Sequence, residues 1–159
     1  MKRILGALLI LVLSCIPNAN AFGAVSEADA KYAQAAGKAT QDFSAAITDW
    51  GATYQAAPDK VSSPKYKSWM KKALAADNAV KASLTQFSKI KVSPGFKKSD
   101  VALRKFITAY TNALNLYGPA IKKNDEKLIK KANSALMSAT TLFTTWGNEF
   151  AKDSSRLAQ

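Results

Sequence analysis

The chain has 159 residues, 23 of them lysine or arginine against 11 aspartates and glutamates, for a net charge of +12 with one cysteine and no histidine. Without histidine, Ser-His-Asp and Cys-His catalytic groupings and histidine-bearing metal sites are excluded, and a single cysteine excludes an internal disulfide. No catalytic, metal or cofactor constellation is expected.

The opening segment reads as an export signal. Met1-Lys2-Arg3 is basic, Ile4 to Leu13 is apolar, and Ala19 and Ala21 are small residues two apart after Pro17. That order predicts a cleaved signal peptide over 1–21 with the mature chain starting at Phe22. Ten apolar residues are too few to span a bilayer. An alternative stands beside it: Leu11-Val12-Leu13-Ser14-Cys15 resembles a bacterial lipobox. That resemblance implies a lipoprotein signal over 1–14 and a lipidated Cys15 on a membrane's outer face. Either way the working part is one helical domain over 22–159, periplasmic or secreted, with no transmembrane span.

Four helices follow from spacing and punctuation. The first opens at Ser26, an N-cap followed by acids, and carries Tyr32, Ala36, Ala39, Phe43, Ala46, Trp50 and Tyr54 on one face. The second opens at Ser63-Pro64, with a stripe of Tyr66, Met70, Ala73, Val80, Leu84 and Phe87. Ser99 is the expected cap of the third, whose stripe runs Leu103, Phe106, Tyr110, Leu114, Tyr117 and Ile121. Gly118-Pro119 falls inside that stripe without breaking its period, which predicts a kinked helix. Asn124 is the expected cap of the fourth, backed by Asp125 and Glu126. Its seam is Ile129, Ala132, Leu136, Ala139, Phe143, Trp146 and Phe150. Short linkers between such segments predict an all-α, antiparallel up-down-up-down four-helix bundle.

Few residues offer chemistry. Met70 and Met137 are expected to fill gaps in the core. The three glutamates, Glu27, Glu126 and Glu149, lie near helix ends, unlike the inward glutamates of di-iron bundles. Asp77 falls near the second seam and is expected as a solvated flank residue paired with Lys81. Trp50-Gly51 and Trp146-Gly147 echo each other, which reads first as core packing. A ligand pocket between helices near Trp50, Trp146 and the Gly118 kink is the alternative.

The positive signal is charge. Without Lys2 and Arg3, 21 basic residues face 11 acids, a net +10. The predicted topology gathers Lys65, Lys67, Lys71 and Lys72 with Lys122, Lys123, Lys130 and Lys131 at one end. Lys89, Lys91, Lys97, Lys98, Arg104 and Lys105 gather at the other. Anionic lipid or another envelope polyanion is the partner such a field suits. Nucleic acid fits poorly: after processing only Arg104 and Arg156 remain, and arginine is the side chain that grips phosphates and bases in pairs of bonds.

Overall fold

A computed structural model describes residues 26–159. The expected signal segment lies outside the described residues, with Cys15 and the Ala19, Ala21 and Phe22 cleavage positions. Four helices account for nearly all the rest: α1 (Glu27–Gln55), α2 (Pro64–Ser88), α3 (Lys97–Lys123) and α4 (Glu126–Leu157), with a 3-10 turn at Pro94–Phe96 before α3. Among the described residues there is no strand.

Two caps are those the sequence indicates. The Ser26 hydroxyl accepts from the Asp29 N–H, and Ser63 accepts from the Tyr66 N–H with Pro64 in the first turn. Two differ. Asn124 does not cap α4; it closes α3 in the left-handed region (φ 50°), which asparagine tolerates better than most residues. Asp125 takes the cap instead, accepting from the Leu128 N–H at 3.0 Å. Ser99 is not a cap either, because the Pro94–Phe96 turn starts α3 at Lys97. The free Ser99 N–H is taken by the Asp153 carboxylate of α4, at 3.1 Å. α3 is continuous through Pro119.

The four apolar stripes meet in a helical bundle. Phe43 of α1 is edge-on to Phe106 (5.4 Å) and Tyr110 (5.1 Å) of α3, and to Phe87 (6.1 Å) of α2. It also reaches Phe143 of α4 at 5.6 Å. Such ring pairs contribute about 0.5–1.5 kcal/mol each beyond the area they bury. Alanines at 36, 39, 73, 113, 132 and 139 are buried between the large rings, so small faces large across the seams. Tyr66 and Trp69 extend the column, the indole of Trp69 donating to the Thr53 carbonyl at 2.7 Å. Phe96 closes it, stacked between Tyr32 (4.8 Å) and Phe150 (5.0 Å). Met137 is a correction: it is 58% exposed, because Leu136 occupies the seam and the next residue points about 100° away.

Candidate functional site

The lysines expected at one end are brought together there. The Tyr66 hydroxyl, in the first turn of α2, donates to the Ile121 carbonyl in the last turn of α3 at 3.1 Å. This places Lys65, Lys67, Lys71 and Lys72 at the same end as Lys122 and Lys123. Only Asn124 and Asp125 separate α3 from α4, which brings Lys130 and Lys131 to that end as well. All eight side chains are exposed, and among the described residues none forms an ion pair. Lys122 and Lys123 suit the negative end of the α3 dipole. The first turn of α2 is different: it holds no acid, so Lys65 and Lys67 crowd a positive helix end at a cost of about 0.3–1 kcal/mol each.

At the other end the arginines are structural. Arg104, expected in a surface cluster, donates to the carbonyls of Phe87 (3.3 Å), Ser88 (2.9 Å) and Ile90 (2.7 Å), and to Asp100. It closes the orphan carbonyls at the end of α2. Arg156 donates to the Gly95 carbonyl at 2.6 Å and to Asp153. The Gly95 N–H donates to Asp29 at 2.8 Å. A Cβ on Gly95 would lie 2.5 Å from an Asp29 oxygen and 2.8 Å from Leu157, so only glycine fits that approach.

Asp77 departs most from expectation. It is not a solvated flank residue but 3% exposed, accepting from the Trp50 indole N–H at 2.7 Å and the Tyr54 hydroxyl at 2.9 Å. Both donors converge on Oδ1. Burial raises its pKa above the ordinary carboxylate range, against the pull of those two hydrogen bonds and of the Lys81 charge. Burial, and then the Asp77 charge, push the Tyr54 and Tyr117 hydroxyls up, so both stay neutral donors. The signal was present: Met70, Ala73, Asp77, Val80 and Leu84 continue one three-four period. Trp50 and Tyr54, four apart on α1, are the donors such a carboxylate requires.

Asp77 also lines a groove of about 610 Å³ between α2 and α3, with Leu74, Lys81, Gly118, Lys122 and Lys123 around it. Of the expected pocket residues, Gly118 lines this groove and Trp50 touches it through Asp77. Trp146 lies in a different ring cluster, against Phe87 (5.5 Å), Phe143 (5.3 Å) and Phe150 (5.8 Å). Its indole N–H has no partner among the described residues. A second groove of about 530 Å³ runs between α3 and α4, where Val101, Ala102 and Leu142 lie among Lys97, Lys98 and Lys105.

Among the described residues no group of three or more His, Cys, Asp or Glu side chains is placed to hold a metal. No described helix is long and apolar enough to cross a membrane. The chain matches no protein-family model, no curated protein and no solved structure.

Proposed function

We propose that the protein is an exported, non-enzymatic component of the bacterial cell envelope that associates with anionic surfaces through its lysine-rich end. The carrying observation is the set of eight exposed lysines on α2, α3 and α4, none of which forms an ion pair among the described residues. Lysine near an anionic headgroup layer gains about 1 kcal/mol each. The matching partner is anionic lipid or a phosphate-rich envelope polymer. Nucleic acid fits less well, because every aromatic ring among the described residues is buried and none offers a stacking platform.

In this reading the helices run up-down-up-down and α3 bends at Gly118-Pro119. Three contacts support the directions: Tyr66 to Ile121, Phe43 to Phe87, and Tyr117 to Asn133. The bend rests on Pro119, which lacks the N–H a straight helix would donate to Asn115. Export rests on the 1–21 segment, with release before Phe22. Mass spectrometry of the mature N-terminus tests that: a chain starting at Phe22 supports release, and a diacylated Cys15 replaces it with a membrane-anchored bundle.

The surface proposal is tested with phosphatidylglycerol vesicles. Binding should be strong at low ionic strength and nearly gone at about 1 M salt, where the Debye length is about 3 Å. Replacing Lys122, Lys123, Lys130 and Lys131 with Gln should weaken binding more than replacing Lys31, Lys38, Lys81 and Lys152. Binding that salt leaves unchanged overturns the proposal.

A further inference from the structure

We propose that the groove between α2 and α3 is a site for a small phosphate ester carrying an ammonium group, the ammonium on Asp77 and the phosphate on Lys81, Lys122 and Lys123. The Asp77 carboxylate has acceptor positions that the protein leaves open. A carboxylate has two oxygens and about four acceptor positions. Asp77 is 97% removed from solvent by residue, yet both of its protein donors, Trp50 and Tyr54, sit on Oδ1. Oδ2 receives no hydrogen bond from any described side chain or backbone group. Asp77 lines the groove and Oδ2 is not sealed off from it, so water or a ligand in the groove supplies the remaining donor. An ammonium does this best, because a charge-assisted bond to a carboxylate is about twice as strong as a neutral one.

The rest of the groove selects the other half of the ligand. Lys81, Lys122 and Lys123 border it, and none forms an ion pair among the described residues. Three ammonium groups beside one buried carboxylate leave excess positive charge, which calls for an anion of more than one charge; a phosphate meets that. Leu74, Leu114, Gly118 and Pro119 form short apolar walls that suit a linker of two or three carbons. Gly118 keeps the wall low: a Cβ there would meet only Leu74, at 3.5 Å. The inference shares Lys122 and Lys123 with the surface proposal but needs neither Lys130 nor Lys131, and needs Asp77, which that proposal does not.

The test is a titration of the exported protein at low salt, read by tryptophan fluorescence and calorimetry, with phosphoethanolamine, inorganic phosphate and ethanolamine as separate probes. Phosphoethanolamine should bind about tenfold more tightly than either half, as one added charge-assisted bond implies. Asp77→Asn should erase that preference while leaving the affinity for inorganic phosphate unchanged. Lys122→Gln with Lys123→Gln should weaken both phosphate-bearing probes. Vesicles of phosphatidylethanolamine in phosphatidylcholine separate the sources. Binding of vesicles and the soluble probe assigns the site to a headgroup, and binding of the soluble probe alone assigns it to a free metabolite. Should Asp77→Asn lose its helical circular dichroism, Gly118→Leu replaces it, filling the groove without touching the carboxylate, and must abolish binding. Equal affinity for phosphate and phosphoethanolamine overturns the proposal, as does an Asp77→Asn protein that folds and keeps the preference. Loss of vesicle binding in Lys130→Gln with Lys131→Gln, with phosphoethanolamine binding intact, bears on the surface proposal alone.

Discussion

The two ends of the bundle are both rich in positive charge, and they use it in opposite ways. Around Gly95 the cations that matter are Arg104 and Arg156, whose planar forks reach four backbone carbonyls in the turns and hold Asp100 and Asp153. Around Lys122 they are lysines, compact charges on flexible stems that form no ion pair among the described residues. Arginine is suited to several fixed bonds at once and lysine to a mobile, hydrated charge. A net charge of +12 therefore conceals two populations, one committed to the fold and one left for solvent or a partner.

A substitution at Gly95 sharpens this contrast most. Gly95→Ala forces a Cβ to within 2.5 Å of the Asp29 carboxylate and should cost roughly 2–3 kcal/mol, seen as a lower urea midpoint. Trp50 and Trp146 come next. Trp50→Phe takes a donor from buried Asp77, whereas Trp146→Phe removes an N–H that has no partner among the described residues. Trp50→Phe should therefore be less stable than Trp146→Phe by about 1–2 kcal/mol in parallel denaturation curves.

Acid titration separates the ends by sign. Burial pushes Asp29 up, but the Ser26 and Ser93 hydroxyls, the Gly95 N–H and the Arg156 charge outweigh it and hold its pKa below the ordinary range. Its stabilisation is complete above the unfolded value of about 4 and is lost as pH falls through the lower folded value. Asp77 runs the other way. Its raised folded pKa means the native state holds the proton more tightly, so stability is greatest below about pH 4 and declines as pH climbs through the folded value. Asp29→Asn should flatten the acid limb of a stability–pH curve, and Asp77→Asn should flatten the decline toward neutrality. The smallest effect belongs to Gly118→Ala, where the new Cβ makes an ordinary 3.5 Å contact with Leu74 and helix propensity improves. Stability should change by less than about 1 kcal/mol, in the direction of gain.

Periodicity made the helices legible. The stripes on α3 and α4 are buried nearly residue for residue, and Ile129 alone on the α4 seam is only half-buried. What sequence could not supply were partners distant along the chain. Ser99 looks like a cap until Asp153 takes its N–H, and Asn124 looks like one until the left-handed turn claims it. Phe96 lies in a three-residue turn too short to have a period, yet it is wholly buried. Asp77 was the instructive case: its spacing placed it on the seam, and its charge argued for the surface. Trp50 and Tyr54, one turn apart, resolved that conflict by supplying the donors. The lysines near the start of α2 and the α3–α4 turn could be picked out of the sequence because they lie at the ends of readable helices.

The bond from Ser99 to Asp153 joins positions 54 apart, and that from Arg156 to Gly95 joins positions 61 apart. The opening turn of α3 therefore gains its last two ties only from residues 153–156, after Asp29, Tyr32 and Arg104 already hold it. Until Asp153 and Arg156 have been made, the Ser99 N–H and the Gly95 carbonyl are left to water.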